Sequence, residues 1–189
     1  MAFLQSGGSV VGSAQITDGA IVNADINANA AIALSKIANP PYAVLADVTL
    51  GTLGVTLDTG TFTAKTNLRI IVASAGHAVA ATLALTLNND TGANYAYSIS
   101  ENGAASATSG AASSIALRNS ALIEAGLVVL DLINITTIKK RLTGSGVNDI
   151  YAHTIGGSWN NTASQVTRVT VTASNNFAVG SRIIVLGMN

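Results

Sequence analysis

Thr82-Leu83-Ala84-Leu85-Thr86-Leu87-Asn88 is the stretch that decides the fold class. Its leucines occupy every second position, so an extended chain places Leu83, Leu85 and Leu87 on one face and Thr82, Ala84 and Thr86 on the other. Working outward, Asn88-Asn89-Asp90-Thr91-Gly92 is a turn cluster. Asn94 to Ser100 alternates again and ends at Glu101-Asn102-Gly103, where Asn-Gly marks a hairpin. Leu127 to Ile135 is a long apolar run that reads as a strand buried on both faces. Thr137 to Leu142 and Asp149 to Ile155 read as strands separated by Thr143-Gly144-Ser145-Gly146. Gln165 to Ala173 alternates with Val169 and Val171 on one face, Ser174-Asn175-Asn176 turns the chain, and Ser181 to Met188 closes it. Eight to ten short strands punctuated by turn signals predict an all-β jelly-roll sandwich.

Composition narrows the class further. The chain has 189 residues, enough for one ordinary domain with a small appendage. Charged residues make up 10% of it, against about 25% in typical soluble domains. Hydrophobic residues make up 49% but aromatics only 4%, so the apolar mass is Ala, Val, Ile and Leu. Nine basic and nine acidic residues cancel, which leaves no electrostatic footprint for nucleic acid. The absence of cysteine removes disulfides, thiolate metal sites and a cysteine nucleophile. The apolar segments are too short or too interrupted to span a bilayer, and the first residues lack the basic and apolar regions of a signal peptide. A mean hydropathy of +0.47 with zero net charge suits a chain whose surface is covered by other chains.

The best boundary is Pro40-Pro41, two adjacent residues without a backbone donor. It divides residues 1–41, rich in Ala, Asn, Ile and Asp, from a 42–189 domain rich in Thr, Val, Leu, Ser and Gly. Within the first segment Ile16, Ile21 and Ile26 are five residues apart, and Ile32 and Ile37 follow after a one-residue slip. A five-residue period is neither that of a helix nor that of a strand. One such chain cannot close a core; three wound about an axis could turn these isoleucines inward. The segment is therefore expected to be an extended attachment and trimerisation arm, with an amphipathic helix over 28–38 as the alternative.

Candidate chemistry is sparse. His77 and His153 have no carboxylate at metal-ligand spacing and read as ordinary surface or interface histidines. Asp149 precedes His153 by four residues, about 13 Å along a strand. The 88–92 cluster has oxygen-bearing side chains, but one Asp is thin for calcium and a turn is the better reading. Gly144-Ser145-Gly146 lacks a following Lys-Ser/Thr, so it is no phosphate cradle. Tyr95, Tyr97, Tyr151 and Trp159 could stack against a sugar, or equally be cross-strand packing. Lys139-Lys140-Arg141 is the one basic cluster and reads as a solvated strand end. No nucleophile with a base, no catalytic carboxylate pair and no cofactor loop can be named, so no enzyme and no cofactor is expected.

The N-terminal text GSAQITDGAIVNADINANAAIALSKIA (12–38) resembles the Ile-Thr-Asp-Gly and Ala-Asp-Ile repeats of stems and attachment arms in bacteriophage fibre and head-fibre proteins. The later domain is similar to phage jelly-roll domains of tail fibres and capsid decoration proteins. The residues that carry this are Leu85 to Tyr95, Gly157-Ser158-Trp159, and Asn176-Phe177-Ala178-Val179-Gly180-Ser181-Arg182-Ile183-Ile184-Val185-Leu186-Gly187. The resemblance implies a homotrimeric, non-enzymatic virion component made in the bacterial cytoplasm. Its first reading is a capsid decoration protein, cement or head fibre, that binds the major capsid protein through an arm bearing Ile16, Ile21, Ile26, Ile32 and Ile37. Its second is a short tail-fibre or tail-tip protein bound to tail or baseplate proteins, and a receptor- or glycan-binding module is a third. The chain stops close to its last strand, which favours the compact capsid part.

Overall fold

A computed structural model describes residues 42–189. The arm isoleucines Ile16, Ile21, Ile26, Ile32 and Ile37 lie outside the described residues. The described chain forms twelve strands: β1 (Ala43–Thr49), β2 (Gly54–Asp58), β3 (Asn67–Ser74), β4 (Ala81–Leu87), β5 (Tyr95–Glu101), β6 (Ala104–Ala112), β7 (Ile115–Leu122), β8 (Gly126–Ile133), β9 (Lys140–Asn148), β10 (Ala152–Trp159), β11 (Val169–Phe177) and β12 (Arg182–Met188). They pair antiparallel in two sheets, an eight-stranded one in the order β1-β12-β3-β8-β9-β10-β5-β6 and a four-stranded one in the order β2-β11-β4-β7. Hairpin β9–β10 joins β8 and carries hairpin β5–β6 on its far side, which widens the larger sheet.

The core lies between the sheets and is built by period-2 alternation. From the larger sheet it takes Leu68, Ile70, Val72, Leu130, Leu132, Ile183 and Val185; from the smaller, Leu57, Leu83, Leu85, Leu87, Val169 and Val171. The three leucines of the opening heptad are buried as expected. The fold class is all-β, with two packed antiparallel sheets.

Turn chemistry follows the sequence where Asn and Gly meet. Asn102 and Gly103 both have positive φ, 50° and 84°, the pair a type I′ hairpin turn between β5 and β6 requires. Asn88 and Asn89, at φ 51° and 56°, turn the chain after β4, a conformation Asn tolerates. The Asn88 carboxamide then ties that turn to the run before β11, accepting from the Thr167 and Arg168 amides at 2.8 and 3.1 Å. It also donates to the Gln165 carbonyl at 2.8 Å.

Several expectations are corrected. The 127–135 run is not buried on both faces: β8 hides Val128, Leu130 and Leu132 and exposes Leu127, Asp131 and Ile133. Gly144-Ser145-Gly146 is no connector but the middle of β9. Gly144 and Gly146 sit there because a Cβ would fall 2.0 Å from the Val129 carbonyl oxygen and 2.2 Å from His153 Nε2, respectively. Glycine in that strand marks close approach, not a turn. Ser174-Asn175-Asn176 does not end β11; a bulge after Thr172 carries the strand on to Phe177. Asp149 lies in the β9–β10 connection, not beside His153 on a strand.

Candidate functional site

The pleat and register settle which residues share the outer face of the larger sheet. One row runs Asp47, Ile184, Ile71, Val129, Ser145, Thr154, Ser100 along β1, β12, β3, β8, β9, β10 and β5. The next runs Val44, Leu186, Arg69, Asp131, Thr143, Gly156, Ser98. Toward the loops, Leu127 pairs with Val147; at the opposite end, Met188, Asn67, Ile133, Arg141 and Ser158 are aligned. The face therefore has two halves. Over β12, β3 and β8 stand large aliphatic side chains, with Leu127 41%, Ile133 48% and Val147 of the adjoining β9 53% exposed. Over β10 and β5 the side chains are small, hydroxyl or absent and the surface sinks, while β9 carries the exposed Arg141 and Val147 as well as Thr143 and Ser145.

The depressions are open grooves on this face. One of about 430 Å³ lies among Tyr42, Arg69, Asp131, Ile133, Arg141 and Met188. Two more, about 440 and 460 Å³, lie over β9, β10 and β5, one beside Ala96, Gly156 and Ser158 and one beside Ser100, Ser145 and Thr154. Two ion pairs neutralise part of the charge on the face, which also carries the exposed Arg141. Arg69 grips Asp131 in a two-bond fork, 2.7 and 2.9 Å, and its guanidinium lies 5.8 Å from the Tyr42 ring. Arg182 pairs with Asp47 in the same way. These guanidinium hydrogen bonds hold the carboxyls of Asp131 and Asp47 below the usual range.

The outer face of the smaller sheet is chemically different. Thr56 pairs with Thr172 and Thr86 with Thr170, Ala84 lies beside Thr172, and Ser174 lies next to Thr82. No large aliphatic side chain stands among them.

Between the sheets, at the end carrying the β3–β4 and β7–β8 connections, a polar group is buried: His77, Glu101, Arg118 and His153 are each less than 9% exposed. This corrects the surface reading of both histidines. His77 Nε2 lies 3.2 Å from Ser74 Oγ and its ring packs 4.9 Å from that of Phe177. His153 is the cross-strand partner of Glu101 and lies against Gly146. Arg118 donates to the Ala81 carbonyl at 2.6 Å, and Glu101 accepts from the Asn119 amide at 3.2 Å. Burial pushes both imidazoles below their ordinary pKa, with the Arg118 charge adding to the effect. Among the described residues no cluster of three or more His, Asp or Glu is placed to hold a metal ion.

The aromatic and basic candidates are also relocated. Trp159 and Tyr95 are each 1% exposed and stack in the core at 6.4 Å, so they offer no surface to a sugar. Their polar ends meet at the 88–92 turn: Trp159 Nε1 donates to the Asp90 carboxylate at 2.6 Å, while the Tyr95 hydroxyl accepts from the Leu87 amide at 2.9 Å. Burial raises the Tyr95 hydroxyl to about 12. Lys140 is not solvated; it is fully buried and its Nζ donates to the Ile138 and Asn161 carbonyls at 3.1 and 2.9 Å. Asn134 was missed by sequence reasoning. Fully buried, it donates to the Lys65 and Val166 carbonyls and accepts from the Val166 amide at 2.6 Å. Only its place after an apolar run could have hinted at that role.

The chain matches no protein-family model and no curated protein sequence.

Proposed function

We propose that this chain is a non-enzymatic structural protein of a bacteriophage particle, a decoration protein that coats the capsid as a homotrimer and stabilises the shell. The observation that carries the reading is the strand order. Without hairpins β5–β6 and β9–β10, eight strands remain, as β1-β12-β3-β8 facing β2-β11-β4-β7. Strands adjacent in sequence then alternate between the sheets except at β4 and β7, which pair within the smaller one, as when one long antiparallel ribbon is folded at its middle and rolled up, and this supports a jelly roll. The exposed aliphatic face and the zero net charge support assembly with other chains in place of small-molecule chemistry.

In this reading residues 1–41 are the arm that meets the major capsid protein, with Ile16, Ile21, Ile26, Ile32 and Ile37 as its contacts. The stabilisation is physical: each trimer bridges neighbouring capsomers and removes apolar area from water at ~25 cal/mol per Å². Repeated over the shell, that resists the pressure of packaged DNA. The test is localisation in intact virions by cryo-electron microscopy, paired with deletion of residues 1–39. Density on the capsid at high copy number, lost with the deletion, is the expected result. Density only on the tail, at a few copies, replaces it with the tail-fibre reading. Full capsid occupancy by the truncated protein overturns the arm assignment.

A further inference from the structure

We propose that the groove of about 440 Å³ beside Ala96, Gly156 and Ser158 binds an anionic saccharide, its carboxylate or phosphate held between Lys139 and Arg141. The inference goes beyond the particle reading and stands on the groove alone. Of the basic run Lys139-Lys140-Arg141, the pleat turns the middle side chain inward and leaves its two neighbours exposed, roughly 7 Å apart along the chain. Both exposed side chains border the groove. Their backbone is fixed. Buried Lys140 donates to the Ile138 and Asn161 carbonyls, the Thr137 amide donates to the Thr162 carbonyl at 2.7 Å, and Arg141 is held in the ladder between Ile133 and Ser158. The two cations are therefore anchored before any ligand arrives.

Three features point to that ligand class. First, the positive charge is unpaired. Among the described residues neither the Lys139 nor the Arg141 side chain makes a hydrogen bond or an ion pair, and no acidic residue borders the groove. Of the acids on and beside β8 and β9, Asp131 is forked by Arg69, and Asp149 follows the far end of β9. A guanidinium without a carboxylate is a ready fork for one, or for a phosphate. Second, the floor is neutral and offers hydrogen bonds. At Gly156 a Cβ would meet nothing within 4 Å, so a ligand can approach the backbone there. The Ser158 hydroxyl, on the residue opposite Arg141, has no partner among the described residues. Such a hydroxyl both donates and accepts, as sugar hydroxyls require. Third, the size fits. About 440 Å³ lies within the roughly 300–1,000 Å³ of small-molecule sites and exceeds what one inorganic anion fills. No large aliphatic side chain borders this groove, unlike the one beside Ile133 and Met188, so its occupant is polar.

The experiment is a printed array of sialylated, uronic-acid, phosphorylated and neutral saccharides probed with the full chain. Calorimetry then titrates the strongest saccharide, and inorganic phosphate, into the full chain, Lys139→Ala, Arg141→Ala and Gly156→Trp, with circular dichroism verifying each fold. The expected result is binding confined to charged saccharides and weakened roughly tenfold or more by either alanine variant, as the loss of a hydrogen bond to a charged group implies. Gly156→Trp, which fills the groove without altering its charge, abolishes it. Carboxylated hits assign the anion to a carboxylate and phosphorylated hits to a phosphate. An array with no charged hit, equal binding of neutral saccharides, or binding that Arg141→Ala and Gly156→Trp leave intact overturns the proposal. Inorganic phosphate bound as tightly as the best saccharide also overturns it, leaving an anion site only. Because neither charged side chain is bonded within the fold, the alanine variants carry the test even if Gly156→Trp misfolds.

Discussion

Asp90→Ala tests the reasoning about the 88–92 turn most directly, because the chain has one tryptophan and that tryptophan is Asp90's partner. Trp159 is 1% exposed, and its indole N–H donates to the carboxylate at 2.6 Å. Removing the acceptor leaves a buried donor unpaired, at a cost of about 1–3 kcal/mol. The same carboxylate accepts from the Gly92 amide and the Asn94 carboxamide, each at 2.9 Å, on the solvent side. Those two bonds add about 1 kcal/mol together, since water replaces them easily. The expected destabilisation is therefore about 2–4 kcal/mol, a large part of the ~5–15 kcal/mol that holds a domain together. In urea, followed by Trp159 fluorescence, the midpoint falls by roughly 1–2 M for a slope of about 2 kcal/mol per M. Asp90→Asn keeps an acceptor and drops the charge, so it falls between wild type and Asp90→Ala. Hydrogen bonds from Trp159, Gly92 and Asn94 hold the Asp90 pKa below its ordinary value. Its contribution is thus complete above pH ~4 and lost as pH falls through the depressed value. Equal midpoints for Asp90→Ala and wild type would refute the account of this turn.

Four further outcomes are expected. Gly144→Ala pushes a Cβ to 2.0 Å from the Val129 carbonyl oxygen and should break the β8–β9 ladder, whereas Gly156→Ala, with open space around it, should leave the thermal midpoint within a degree or two; melting curves compare them. His77 and His153 are buried with lowered pKa values, so the unfolded chain binds protons more readily, and stability is complete above about pH 6.5 and declines below it. Urea midpoints at several pH values check this, and His153→Gln should flatten the profile. Thr137 has φ 76°, strained for a β-branched residue by about 1–3 kcal/mol, so Thr137→Gly should raise the melting temperature by a few degrees. Lys140→Ala removes the donor that holds the Ile138 and Asn161 carbonyls and should destabilise by about 2–3 kcal/mol in the same urea assay.

Fold class was legible because strands announce themselves through period 2. Leu83, Leu85 and Leu87 needed no tertiary information to be placed inward, and Asn102-Gly103 needed only the φ values its turn demands. What failed was local chemistry whose meaning depends on a distant neighbour. Gly144 and Gly146 look like a loop until β8 and His153 are set against them. Lys140 looks solvated until the Asn161 carbonyl, on another loop, is found within reach. The two histidines carry no spacing signal, because their surroundings are assembled from β5, β7 and the β3–β4 connection. Asn134 is the same case: its partners at Lys65 and Val166 are far away in sequence. The bulge after Thr172 hid the end of β11 because Ser-Asn-Asn is turn chemistry in isolation and strand chemistry beside β4 and β2.

A mean hydropathy of +0.47 is ambiguous until the apolar residues are located. If all of them were interior, high hydropathy would report only a large core and say nothing about partners. The two outer faces separate these cases, because they belong to the same domain under the same folding requirement. The smaller sheet meets water with Thr56, Thr82, Thr86 and Thr172, residues that keep β-propensity while presenting a hydroxyl. That solution was equally open to β3, β8 and β12, whose outward positions hold Ile71, Val129, Ile184 and Leu186. Strand formation alone therefore does not explain isoleucine where threonine would serve. Water disfavours such a patch unless something covers it, and that is the ground on which the proposed assembly with other chains rests.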